Sequence, residues 1–152
     1  MKHAWGLLLL IGCGGTSGEP MMGDVMFTYG TGHPKMAYGA AVQNKDTPAN
    51  MLVQIGDDNV DCGTYLDQLT FGGPEGNFVY FDVDASATGP FTDVSISVQH
   101  STGNHTSINE SSGMVTIDTT TPRVTGSLTF MTTDDQVGPI AVMGNFDIKR
   151  CF

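Results

Sequence analysis

The sequence predicts an all-β domain, an antiparallel β-sandwich or small barrel of about eight strands. Three observations carry that expectation. Short apolar runs alternate with a period of two, which is the pattern of strands that bury one face. Turn-forming residues separate the runs at short intervals. Glycine (20) and proline (7) are too frequent for long helices.

Taken in order, Val25–Tyr29 is the first strand candidate, followed by a turn at Gly30-Thr-Gly-His-Pro34. Met36–Gln43 is the second, and Asn44–Asn50, with Asp46 and Pro48, reads as a turn. Met51–Ile55 alternates and runs into a Gly56-Asp-Asp-Asn59 turn. Asp61–Leu69 has the composition for a helical turn. Asn77–Val83 is rich in aromatic and β-branched residues and follows a Gly72–Gly76 loop. Thr92–Gln99 sets Val94, Ile96 and Val98 on one face and Ser95, Ser97 and Gln99 on the other. Met114–Asp118 pairs Val115 with Ile117. Val124–Met131 and Ile140–Ile148 are expected to form a hairpin through Thr132–Pro139. Gly126 and Gly144 each fall on a core-facing position, which indicates bulges or close backbone approach.

The N-terminus has a different character. Lys2 precedes an apolar run from Ala4 to Ile11 of about 8 residues, within the range for a signal peptide and far short of a bilayer span. The run ends in Leu10-Ile11-Gly12-Cys13, which resembles the lipobox of bacterial lipoproteins. That resemblance implies cleavage after Gly12, diacylglycerol on the Cys13 thiol and acylation of the new N-terminus. Gly14 stands where aspartate would favour inner-membrane retention, so the resemblance implies a lipid-anchored protein of the cell envelope, in the outer membrane if the source is Gram-negative. The expected organisation is a cleaved signal peptide over 1–12, a lipidated cysteine and flexible linker over 13–23, and one β-domain over 24–152. With Cys13 carrying lipid, Cys62 and Cys151 remain as a pair in an oxidising compartment, and a disulfide is expected. Closing a loop of that length is worth about 4 kcal/mol in the chain-entropy model.

Charge excludes one class of partner. The full chain carries −10, and removing Lys2 with the signal leaves −11. Lys35, Lys45, Arg123, Lys149 and Arg150 are scattered, whereas phosphate binding needs a clustered basic face, so no nucleic-acid partner is expected.

Candidate chemistry is thin. A metal set could draw on His100, His105 and a carboxylate such as Asp93 or Glu110, but His33, His100 and His105 fit no metal-ligand spacing and read as solvated hairpin residues. Asp57, Asp58 and Asp61, and likewise Asp134 and Asp135, lack the register of an EF-hand loop. Asp82 and Asp84 lie two apart and read as the wet face of a strand rather than as a glycosidase pair. No serine sits in a Gly-x-Ser-x-Gly elbow. The tyrosines and phenylalanines are expected mainly in the core. No catalytic residue, metal or cofactor is assigned.

The ending Gly144-Asn-Phe146 running to Cys151 resembles the terminal strand of small β-domains in bacterial lipoproteins. The expected function is therefore that of a membrane-anchored envelope lipoprotein with a non-enzymatic structural or binding domain. The alternative is a carrier of a small apolar ligand in a calycin-like barrel. Strand order separates them: a closed meander favours the carrier, two stacked sheets the binding module.

Overall fold

The computed structural model describes residues 18–66, 76–102 and 105–152. Its strands are β1 (Met22–Gly23), β2 (Met26–Tyr29), β3 (Tyr38–Gln43), β4 (Asn50–Gly56), β5 (Phe78–Asp84), β6 (Gly89–Thr102), β7 (His105–Thr119), β8 (Arg123–Asp134) and β9 (Gly138–Arg150). From β3 to β9 the chain is an antiparallel meander, and β9 returns to pair with β3, closing a seven-stranded barrel. Of the two architectures expected, the barrel is the one formed.

The closing pair is parallel, Ala40 beside Lys149 and Ala41 beside Arg150, where the sequence suggested antiparallel pairing throughout. The reason is topological. An up-and-down meander with an odd number of strands brings its first and last strands together pointing the same way. This seam is short, and the N-terminal segment occupies the rest of the β9 edge. There β1 sets Met22 against Asp147, and β2 runs antiparallel from Met26–Met143 to Tyr29–Ile140. Glu19 N–H donates to the Val60 carbonyl and Gly39 N–H to that of Glu19, while Lys149 pairs with the Glu19 carboxylate at 2.6 Å. Residues Gly18–Gly23 are thus part of the barrel closure rather than the outer half of a flexible linker. Residues 1–17, with Cys13, lie outside the described part.

Gly144 sits at the step between β1 and β2. Its φ is +139°, and a Cβ there would lie 2.4 Å from the Asp24 carbonyl oxygen, so glycine is required for the close crossing. At Gly126 a Cβ would lie 2.1 Å from the Thr116 carbonyl oxygen of the neighbouring strand.

Inward positions follow the predicted alternation. Val79, Phe81 and Val83 of β5, Ile96 and Val98 of β6, Val115 and Ile117 of β7, Leu128 and Phe130 of β8, and Val142, Phe146 and Ile148 of β9 share one buried core with Phe27. The outward face is not uniformly wet. Ala40, Val42, Leu52, Phe78 and Tyr80 form a second apolar cluster outside the barrel, covered by Val60 and Leu66 of the β4–β5 connection. Strands β3–β5 are therefore buried on both faces, unlike the one-sided strands expected.

That connection behaves as a strap. Asp61 accepts from the N–H groups of Gly63 and Thr64, which makes a tight turn with no helix over the described residues 61–66; residues 67–69 lie outside them. Gln54, fully buried on β4, donates to the Thr64 carbonyl at 2.9 Å and accepts from Leu66 N–H at 2.7 Å. Cys62 and Cys151 stand at disulfide distance with their Cα atoms 5.5 Å apart, spanning 89 residues. They fasten the strap to the end of β9.

Candidate functional site

The β7–β8 ladder stops at Met114–Thr129. Beyond it, the β6–β7 hairpin continues to Thr102–His105 and the β8–β9 hairpin to Asp134–Gly138. The two hairpins part, and the barrel has a mouth at this end. Tyr29, at the end of β2, lies in the mouth because β2 turns back tightly there: Tyr29 and Gly32 exchange both backbone hydrogen bonds around Gly30-Thr31, with Gly30 at φ +50°.

Tyr29 stacks on the ring of His100 at 4.9 Å between centroids, and its hydroxyl donates to the Ser101 carbonyl at 3.0 Å. Gly32 packs so close to the Tyr29 ring that a Cβ there would lie 2.6 Å from Cζ. His100 is only 2 % exposed, and neither of its ring nitrogens has a hydrogen-bond partner among the described residues. The nearest charge is Asp134, with Oδ2 3.7 Å from Nε2, beyond hydrogen-bond reach. His100 is thus a buried inward residue and not the solvated hairpin histidine expected. The clue was present in the sequence: it continues the inward series Val94, Ile96, Val98.

Above these rings lies an open cleft of about 510 Å³, lined by Tyr29, the Gly30–Gly32 turn, Ser101, Gln136 and Val137. An apolar groove of about 300 Å³ follows β2 between Gly23–Thr28 and His33–Met36. The groove is floored by the core residues Val25, Phe27 and Met36, and the core residues Phe27, Phe81, Phe130, Met51 and Ile148 are each 1 % exposed or less.

The remaining sequence candidates have local structural work. Asp57 accepts from both the backbone and the side-chain N–H groups of Asn77, which ties the two ends of the strap. Asp82 accepts from Asn50, and Asp84 accepts from the N–H and hydroxyl of Ser86. The two carboxylates thus have separate partners. The Ser86 hydrogen bonds hold the Asp84 carboxyl below its ordinary value, the backbone bond contributing most. Asp134 caps the β8–β9 turn through the N–H groups of Gln136 and Val137. His33 is exposed beside Pro34, and the side chain of His105 lies outside the described part. Ser101 follows His100 but points to the other face of β6, where its hydroxyl donates to the Gly76 carbonyl at 3.0 Å. Neighbouring strand residues face opposite ways, so His100 and Ser101 do not form a nucleophile–base pair.

The site thus belongs to a small closed β-barrel with a filled interior and an open cleft at one mouth. No protein-family model, curated protein or solved structure matches this chain.

Proposed function

We propose that this chain is an envelope lipoprotein, held to the membrane by lipid on Cys13, whose barrel binds a partner at its surface and performs no chemistry of its own. In a Gram-negative cell the membrane would be the outer one. The observation that carries the binding reading is the filled interior. Closure into a meander is the topology a carrier needs, and it favours that alternative. But a seven-stranded barrel is narrower than the eight-stranded barrels whose interior side chains already fill the space or leave room for one small ligand. Here four phenylalanines (Phe27, Phe81, Phe130 and Phe146) and Met51 occupy it. A ligand would have to displace packed side chains rather than enter a chamber. The mouth cleft, with Tyr29, Gln136 and the glycine turn at its rim, remains open to a partner.

Two measurements test the reading separately. The anchor predicts that the full chain, expressed in a bacterium fed an alkyne-tagged palmitate, takes up the tag and sediments with membranes, and that Cys13→Ser abolishes both. The surface-binding reading predicts that residues 14–152 do not enhance the emission of an apolar fluorescent probe. Saturable enhancement at one site per chain would restore the carrier.

A further inference from the structure

The outer wall formed by β1, β2, β9, β8 and β7 has an unusual composition. Outward residues alternate with the inward series on each strand. Beside β2 they are Met26 and Thr28 on β2 itself, Ala141 and Met143 on β9, Thr129 and Met131 on β8, and Met114 on β7; further along the same strands they turn polar, with Asn145 and Asp147 on β9, Ser127 on β8, and Thr116 and Asp118 on β7. The pairing register aligns them into rows. One row runs Met26–Met143–Thr129–Met114, each residue directly opposite the next, and the neighbouring row runs Thr28–Ala141–Met131. Met22 stands outward on β1, opposite Asp147, whose carboxylate is paired with Arg123. Met22, Met26, Met114 and Met131 are each 51–63 % exposed. They are four of the six large hydrophobic residues exposed among the described residues; Ile108 and Phe152 are the others. The two rows contain no charge, and Lys35 borders them beside Met26.

We infer that this methionine wall rests on the lipid surface beside the tether. The inference builds on the lipid anchor at Cys13 proposed above. Four residues lie between Cys13 and Gly18, where the chain is already fastened to the barrel, and the five Cα-to-Cα steps from one to the other span at most about 18 Å. The domain therefore cannot move away from the bilayer by more than about its own width. The strands that follow the tether, β1 and β2, belong to the methionine wall itself. On the β3–β5 side, the outer surface is already covered by the strap. Charge points the same way. A strongly acidic domain is repelled by anionic headgroups, and the two rows add no charge of their own: Lys35 borders them beside Met26, and Asp24 borders them on the Asn145 side. Methionine side chains are flexible and apolar, and suit a shallow, irregular contact. The tether supplies a high local concentration, so weak contacts are enough to orient the domain.

The test uses the lipidated chain, purified from membranes and reconstituted into vesicles of phosphatidylethanolamine and phosphatidylglycerol, with and without brominated acyl chains. The only tryptophan, Trp5, leaves with the signal peptide, so an introduced tryptophan reports alone. Reporters are Met131→Trp and Met114→Trp on the wall and Asp58→Trp in the exposed start of the strap. Flotation of the vesicles reads the anchor. Bromine quenching reads the wall. Wall reporters are expected to lose at least about twofold more emission than Asp58→Trp, as for groups lying within the headgroup–acyl boundary. Adding Met26→Glu and Met131→Glu to the Met114→Trp chain is expected to bring its quenching down to the Asp58→Trp level, which separates docking by the wall from a reporter seeking the interface on its own. If the chain floats but the wall reporters are quenched no more than Asp58→Trp, the inference is overturned, including the case in which sedimentation finds two copies covering each other's walls. If the chain does not float, the anchor fails, and the inference falls with it.

Discussion

Gln54 is the most informative side chain to remove. It sits in the apolar run of β4 with no exposure, and its amide meets the strap twice, donating to the Thr64 carbonyl and accepting from the Leu66 N–H. Gln54→Met keeps the length of the side chain and leaves both backbone groups buried without a partner. Each such group costs about 1–3 kcal/mol, so the pair is worth about 2–6 kcal/mol. The lower half of that range applies if the strap relaxes enough to admit water. The result is expected in two assays. Urea unfolding should show a lower midpoint at unchanged slope. Amide exchange should show Leu66 losing its protection while Val53 and Val79, in the barrel ladder, lose no more than the global change. Local opening of the strap is the cheapest way to satisfy Thr64 and Leu66 with water, and it leaves the barrel intact. A destabilisation below about 0.5 kcal/mol, with Leu66 as protected as before, would refute the assignment of Gln54 as the fastening of the strap.

Further outcomes follow from the same structure. Cys62→Ser with Cys151→Ser is expected to cost about 4 kcal/mol, read as the difference in urea unfolding between the variant and the oxidised parent, because the bond closes a loop of 89 residues. Gly126→Ala is expected to destabilise by about 1–3 kcal/mol in the same assay, since the new Cβ meets the Thr116 carbonyl oxygen and the Phe146 ring, neither of which is free to move. A chain starting at Asp24 should unfold earlier than one starting at Gly14 and run larger in size-exclusion chromatography, because loss of β1 bares part of the β9 edge. The folded state holds Asp84 below its unfolded value of 3.8, so the stability it contributes is present above that pH and fades as pH falls through the lowered value; Asp84→Asn should flatten this part of an acid titration of stability.

The strands were legible because alternation is local. Thr92–Gln99, Val124–Met131 and Ile140–Ile148 lie within β6, β8 and β9, and the predicted Thr132–Pro139 hairpin turns at Asp135–Val137. What escaped depends on contacts made outside the strand's own pattern. Phe78 and Tyr80 alternate with Val79 and Phe81, but only the fold of the β4–β5 strap back over them decides that the outward pair is dry as well. In the same way Gln54 reads as a wet position until Thr64 and Leu66 are seen to take its amide. The polar first half of β7 carries no alternation of hydrophobicity to read, so the sequence marks only Met114–Asp118 of a strand that begins at His105. For β1, two residues between Gly18 and Asp24 look like linker because their pairing depends on the β9 edge, more than a hundred residues away.

That edge explains why the start of the domain cannot be a passive spacer. Seven strands in a meander force a parallel seam, and parallel pairing here reaches only from Ala40–Lys149 to Ala41–Arg150. Left alone, most of one side of β9 would be an open edge, a template for pairing with another chain. The sequence covers it with the nearest available segment, its own N-terminus, which pairs antiparallel through β1 and β2 and then turns into the mouth as Tyr29. If Cys13 carries the anchor, any force on the tether is therefore transmitted first to Gly18–Gly23 and the seam, and then along β2 to the stack of Tyr29 on His100. The same strands link the N-terminal attachment of the domain, the closure of the barrel and the cleft.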